Sequence, residues 1–154
     1  DAAVVSGLKK TRWEARMEIL RDRPVFLLDG AHNPSGVRTL CRALKKYFSR
    51  RRLILIFAVL SDKDYRAMLK KIAPLAAVTI LPPLKTARAV PAQQLAREMK
   101  EMGFKAVAAK TVDEAIHTAL GMAQESDVIC ALGSLYLAGE VKQSFHQMNS
   151  CGKA

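Results

Sequence analysis

The sequence predicts an α/β fold built around a mostly parallel sheet. Short apolar runs alternate with stretches whose apolar residues recur at helical spacing, and this alternation repeats five times. Nearly continuous apolar runs are typical of strands that are covered on both faces. Repeated strand–helix units indicate parallel strands joined by right-handed crossovers. The chain has 154 residues, which suffices for one domain with a real core.

The elements follow in order along the chain. Parallel strands are predicted at the apolar runs 25–29, 53–59, 77–81, 104–109 and 127–132. Helix starts are indicated by capping residues or by proline in the first turn. They are Asn33 with Pro34, Ser61 with Asp64, Pro91, Thr111 with Glu114, and Ser134, which begins a last helix running to about residue 147. Residues 15–20 could add a strand, antiparallel at the sheet edge, and residues 2–10 could form a short helix.

The net charge of +11 is the most unusual bulk property. Such a field attracts polyanions, nucleotides or acidic metabolites, although a basic, well-solvated surface explains it equally well. The basic run 49–52 fits that surface, since it lies between a predicted helix and a buried strand. Nucleic-acid binding is not expected, because aromatic interleaving, zinc-finger patterns and RNP patterns are all missing from the sequence.

Composition also bears on where the protein works. No apolar run approaches the roughly 20 residues that cross a membrane, and the N-terminus lacks a signal-peptide pattern. The chain begins without Met, which suggests a fragment of a longer protein. Its cysteines are odd in number and form no CxxC pair, and Cys41 and Cys130 fall in apolar patterns; the third is Cys151. Reduced thiols and a cytoplasmic location are therefore expected.

Polar residues follow three of the predicted strands, at the edge where open parallel sheets bind ligands. Asp29 could accept hydrogen bonds from ribose hydroxyls or hold a metal through water, or it could only organise its turn. His32 could donate to a phosphate or carboxylate, or fix the loop. Ser134, beside Gly133, could seat an anion at a helix N-terminus or serve as a cap alone. Lys63 could meet an anion or belong to an ordinary charged first turn.

Several motifs that would complete an active site are missing from the sequence. It contains no GxxxxGK[ST] phosphate loop and no GxGxxG dinucleotide fingerprint. HExxH, paired-cysteine metal patterns and the GxSxG elbow are likewise missing. By its own motifs, the chain carries an incomplete active site.

Three segments, in order and spacing, resemble a known family: LLDGAHNPSG (27–36), FAVLSDKDYRAML (57–69) and ALGSLYLAGEV (131–141). They are similar to the C-terminal domain of folylpolyglutamate synthase/dihydrofolate synthase, within the Mur ligase superfamily. The resemblance runs roughly from Val5 to Val141, and Gly30 points to the folate branch rather than to the murein ligases. It implies a Rossmann-like three-layer sandwich with a six-stranded sheet, five strands parallel and one antiparallel.

The resemblance also implies a reaction. ATP phosphorylates a pterin-linked carboxylate, the amino group of L-glutamate attacks the acyl phosphate, and an amide forms with release of ADP and phosphate. The pterin substrate would be dihydropteroate or a reduced folate. The phosphate loop and the Mg²⁺ ligands would lie in a separate N-terminal ATPase domain. Residues 1–154 would then be the C-terminal glutamate ligase domain of a monomeric enzyme, inactive when isolated.

Site residues are carried over by the same resemblance, without a catalytic residue or a metal ligand among them. Asp29 corresponds to an aspartate near the ATP ribose, and Arg16 to an arginine that approaches the ATP phosphates. The resemblance places His32, Ser134 and Lys63 on the glutamate side. The sequence departs from the family before the arginine, where Glu14 and Ala15 replace the usual Pro-Gly.

Other functions are compatible with the residues. A murein-type ligase acting on a nucleotide-sugar peptide would share the domain, and its upstream sequence would reveal a different substrate domain. A non-catalytic Rossmann-like module could bind a nucleotide or an acidic partner. A nucleic-acid-binding module would show salt-dependent binding to DNA. Within the folate branch, both dihydrofolate synthesis and polyglutamate extension fit.

Overall fold

The computed structural model describes residues 14–151, in which six strands form one mixed sheet. The strands are β1 (Glu18–Asp22), β2 (Val25–Leu28), β3 (Leu53–Phe57), β4 (Val78–Leu81), β5 (Ala106–Ala108) and β6 (Val128–Leu132). Their order across the sheet is β1-β2-β6-β3-β4-β5. β1 pairs antiparallel with β2, and all other neighbours are parallel. The predicted count of five parallel strands and one antiparallel edge strand is confirmed.

Helices cover both faces of this sheet. They are α1 (Pro34–Phe48), α2 (Tyr65–Ile72), α3 (Ala92–Glu101), α4 (Val112–Met122) and α5 (Leu135–Cys151), with a short 3-10 helix at Ala73–Leu75. Buried residues of α1, α2 and α3 share one apolar cluster with one face of the strands. Those of α4 and α5 share a second cluster with the opposite face. The strands alternate their side chains between the two clusters, which explains why β2, β3 and β6 are apolar throughout.

Most helix starts follow the predicted capping residues. Asn33 accepts from the Gly36 N–H at 2.8 Å, with Pro34 as the first helical residue. Thr111 likewise accepts from the Glu114 N–H at 3.0 Å. The Ser61 cap is wrong: Asp64 itself accepts from Ala67 N at 3.1 Å, so α2 begins three residues later.

Three other sequence predictions are refined by the structure. β1 occupies Glu18–Asp22 rather than residues 15–20, and α5 extends to Cys151 rather than ending near residue 147. The helix suggested for residues 2–10 lies outside the described residues. Across the described part of the chain, none of the helices combines the length and apolarity needed to span a membrane.

Both cysteines with described side chains are free thiols. Cys41 is half-buried and Cys130 is fully buried in the sheet. Burial raises the pKa of the Cys130 thiol far above its ordinary value, because the thiolate would lie in an apolar surrounding. Cys130 therefore behaves as an apolar core residue, as its sequence pattern predicts.

Candidate active site

The loops that follow β2, β3 and β6 meet at the carboxyl edge of the sheet. β6 lies between β2 and β3, and backbone hydrogen bonds join the three strand ends. Asp29 N donates to Ala131 O at 2.9 Å, and Gly133 N donates to Ala31 O at 2.9 Å. The segments after β2 and β6 are thus in contact, and the segment after β3 follows a strand that pairs with β6, as the parallel topology predicts.

Gly133 allows this close approach. Its φ of 114° is a conformation that L side chains rarely adopt, and an added Cβ would lie 2.5 Å from Ala58 O. The same Cβ would lie 2.9 Å from the Phe57 ring. Only glycine fits between the end of β3 and the start of α5.

Gly30 allows a second close approach. A Cβ there would lie 2.8 Å from the Leu135 side chain and 3.2 Å from Ala15 O. Its N–H donates to Ala15 O at 2.7 Å. The segment that precedes β1 therefore crosses the turn after β2, next to the first residue of α5.

The Asp29 carboxylate organises both of these segments. The side chain is only 6% exposed. One oxygen accepts from Ala31 N at 2.9 Å and the other from Met17 N at 3.0 Å. Of the roles that the sequence left open, the turn-organising one is what this geometry shows. A carboxylate has about four lone-pair sites, so further acceptor capacity remains for a ligand.

Arg16 is exposed and lies between two residues in the left-handed region. Ala15 has a φ of 51° and Met17 a φ of 47°. Each such residue costs roughly 1–2 kcal/mol when it is not glycine. Ala15, the position where the family pattern has glycine, thus adopts a backbone conformation that glycine takes freely. The departure in sequence does not prevent this turn from forming.

An acidic pair and one lysine hold this strained segment against α5. Lys142 Nζ lies 3.2 Å from carboxylate oxygens of both Glu14 and Glu18. Glu18 also accepts from Ala15 N at 2.8 Å, and this backbone hydrogen bond, followed by the contact with Lys142, lowers the pKa of Glu18. The position of Arg16 is therefore fixed from three sides: β1, the Asp29 turn and α5.

His32 is half-buried and is held by the same turn. Its Nδ1 lies 2.8 Å from Gly30 O. A carbonyl oxygen can only accept, so Nδ1 carries the hydrogen. Nε2 is then the ring nitrogen that this contact leaves available to a ligand.

Ser134 is 3% exposed and caps α5, where its Oγ accepts from Tyr136 N at 3.0 Å. The capping role is confirmed, and the hydroxyl hydrogen remains as a donor. The following residues, Leu135 and Tyr136, are 61% and 52% exposed. The sequence assigned them no role; the signal was two large apolar residues in the first turn of a helix at a ligand-binding edge.

Lys63 is engaged by its neighbour in the chain. Its Nζ lies 2.9 Å from Asp62 Oδ2, and Arg88 lies 3.1 Å from Asp62 Oδ1. The hydrogen bond from Lys63, with a smaller contribution from Arg88, lowers the pKa of Asp62. Sequence reasoning missed Arg88, because no local pattern connects the loop after β4 with the loop after β3.

Among the side chains that the structure describes, no group of three or more His, Cys, Asp or Glu could hold a metal ion. The carboxylates near the site are engaged by backbone N–H groups or by basic side chains. The described residues therefore do not fit a magnesium site, and no chemical step is assigned to a metal held by them.

The fold is a Rossmann-like domain, and the carboxyl edge of its sheet carries an imidazole, a hydroxyl and cationic side chains. Residues 15–135 match the model of the Mur ligase, glutamate ligase domain. The chain belongs to this family. The resemblance stated from the three sequence segments is thereby confirmed.

Individual relatives fall within the folate branch. The chain is 37% identical over 143 residues to the folylpolyglutamate synthase of Lacticaseibacillus casei, covering 90% of this chain and 31% of that protein. It superposes with a TM-score of 0.87 and 27% identity on a bifunctional folylpolyglutamate synthase/dihydrofolate synthase from Yersinia pestis, complexed with AMPPNP and Mn. That match covers 95% of this chain and 34% of the other.

A further crystal structure of such a bifunctional enzyme holds Mn, AMPPNP and L-glutamate, and matches with a TM-score of 0.87 and 27% identity. The match covers 95% of this chain and 35% of that one. The chain therefore spans about a third of the length of each of these three relatives.

Proposed function

We propose that this chain is the glutamate-receiving domain of an ATP-dependent ligase that joins L-glutamate to dihydropteroate or to a reduced folate. The observation that carries this is the joined edge after β2, β3 and β6, in a chain of the glutamate ligase family. All substrates are anions, and this edge presents three capped helix N-termini and basic side chains to them. The likeness to folylpolyglutamate synthases favours the folate branch over a murein-type ligase.

L-Glutamate is assigned to His32, Ser134 and Lys63. The Ser134 hydroxyl and the Lys63 ammonium can donate to carboxylates of the amino acid. Because Gly30 O holds Nδ1 of His32, Nε2 is the ring atom left for the ligand. This gives His32 the most direct part in orienting glutamate.

ATP is assigned to Arg16 and Asp29. The exposed guanidinium of Arg16 suits a phosphate, and its strained, three-sided anchorage supports a ligand contact rather than a chance surface position. Asp29 supports the nucleotide side by holding Met17 N, and its remaining lone pairs can accept from ribose hydroxyls.

The other half of the site is assigned to an N-terminal ATPase domain of the same protein, which would supply the phosphate loop and the Mg²⁺ ligands. Acyl phosphates hydrolyse in water, so closure of two domains over this edge would protect the intermediate. The exposed Leu135 and Tyr136 support such a covered surface. The free thiols of Cys41 and Cys130 support a reducing, cytoplasmic setting, and we propose a monomer.

The test is amide formation from ATP, L-glutamate and either dihydropteroate or a reduced folate, measured by product mass. The complete gene product is expected to form the amide with one ADP released per bond. Residues 1–154 alone are expected to form none. Amide formation by residues 1–154 alone, or none by the complete protein, would contradict the proposal.

A further inference from the structure

Asp62 lies between two basic side chains at the candidate glutamate side. Lys63 Nζ is 2.9 Å from one carboxylate oxygen and Arg88 is 3.1 Å from the other. All three side chains are substantially exposed, at 34% for Lys63, 43% for Asp62 and 60% for Arg88. The carboxylate of a ligand in solution can therefore reach the basic side chains that Asp62 now binds.

The backbone, and not only the ion pair, fixes the position of Arg88. Its carbonyl accepts from Ser61 N at 2.8 Å, and Ala89 forms an antiparallel bridge with Leu60. Val90 N donates to Val59 O at 3.0 Å. The loop after β4 is thus docked along the loop after β3, which holds the guanidinium beside Asp62.

A ligand that binds Lys63 must displace a carboxylate from the neighbouring residue in the chain. Asp62 is covalently adjacent, so its carboxylate is present at high local concentration and competes with any carboxylate ligand for Lys63. The planar guanidinium of Arg88 matches the geometry of the Asp62 carboxylate better than the Lys63 ammonium does. A carboxylate held by Arg88 can remain bound there while Lys63 turns to a ligand.

We propose that Arg88 is a positioning residue for glutamate binding: it retains Asp62 and so releases Lys63 to bind a carboxylate of L-glutamate. The inference rests on the proposed function. In this proposal Arg88 acts by holding Asp62 and does not contact the substrate.

The experiment measures kcat and the KM values for L-glutamate and ATP in the complete protein. Arg88→Ala is expected to raise the KM for glutamate about two- to fivefold, the scale of an exposed ion pair, with kcat and the KM for ATP unchanged. Adding Asp62→Asn to Arg88→Ala removes the competitor and should return the KM for glutamate to the wild-type value. Arg88→Lys should lie between Arg88→Ala and wild type.

A matched control is available in the same loop. Lys85 is 87% exposed and its nearest carboxylate, Glu140, is 3.9 Å away. Lys85→Ala removes one positive charge from the same loop and should leave the KM for glutamate unchanged. An equal rise with Lys85→Ala would show an effect of net charge and overturn the inference.

Three further outcomes would overturn it. An unchanged KM for glutamate in Arg88→Ala would do so, as would equal changes in both KM values, which indicate a structural defect. A raised KM that persists in the double variant would show that Arg88 acts on the substrate itself. If the wild-type protein forms no amide, the proposed function fails and this inference with it, whereas wild-type activity with any of the three outcomes rejects the inference alone.

Discussion

The loops after β2 and β3 occupy equivalent positions in two βα units, yet they are held in different ways. In the first, Asp29 is 6% exposed and accepts from two backbone N–H groups. In the second, the Asp62 side chain is 43% exposed and is bound by two basic side chains. Each loop ends in a capped helix, α1 or α2.

This difference indicates that Asp29 supports the fold, whereas the contacts of Asp62 can change when a ligand binds. A buried carboxylate bonded to backbone N–H groups cannot move without leaving those donors unpaired, which is costly. An exposed carboxylate bound by flexible side chains contributes little to stability and can exchange partners. Loss of the Asp29 carboxylate should therefore reduce stability, whereas loss of a basic partner of Asp62 should alter ligand affinity.

The largest loss is expected for Gly133→Ala, at the junction that supports the first loop. The new Cβ would lie 2.5 Å from Ala58 O at a φ of 114°, so the free energy of unfolding should fall by about 4 kcal/mol or more. Urea denaturation measures this. The control is Gly139→Ala in α5, where a Cβ meets nothing within 4 Å and should stabilise by about 0.5–1 kcal/mol. Similar values for the two variants would contradict the assignment of Gly133.

Asp29→Ala is expected to rank second. It leaves the N–H groups of Met17 and Ala31 without their acceptor, which should cost about 3 kcal/mol. Asp62→Ala, the matched change in the second loop, should leave the urea midpoint unchanged. Equal destabilisation by the two substitutions would remove the distinction between the loops.

Glu98 offers an intermediate case, a carboxylate bound by side chains but only 17% exposed. Burial acts to raise the pKa of Glu98, but hydrogen bonds from Gln94, Arg66 and Tyr65 outweigh it and the pKa is lowered. A lowered folded-state pKa gives stability above the unfolded-state value that is lost as the pH falls through the folded-state value. Glu98→Gln should therefore flatten the loss of stability as the pH falls below 4.5, the ordinary pKa of a glutamate side chain. Denaturation at a series of pH values measures this, and an unchanged slope would contradict it.

The smallest effect is expected at Ala15, where the scaffold carries strain. Its φ of 51° favours glycine, so Ala15→Gly should stabilise by about 0.5–1 kcal/mol. Ala96→Gly, inside α3, should destabilise by a similar amount. A loss of stability at Ala15 would show that its methyl group matters more than its backbone conformation.

The sequence predicted best those features that depend on residues close together in the chain and on the parallel topology. Apolar runs predicted the five parallel strands, and parallel topology placed Asp29, His32 and Ser134 at one edge. The Ser61 cap failed because Asp64, three residues later, is an equally good cap and lies next to the apolar stripe. The positive φ of Ala15 depends on contacts with Gly30 and Glu18, and the position of Arg88 depends on loop docking, so neither follows from local sequence.

The central claim is that the edge after β2, β3 and β6 receives L-glutamate. The most direct measurement is the KM for L-glutamate and for ATP in the complete protein carrying His32→Ala. Loss of a hydrogen bond to a charged ligand should raise the KM for glutamate about tenfold, with a much smaller change in the KM for ATP. Equal changes in the two KM values, or a change confined to ATP, would contradict the account.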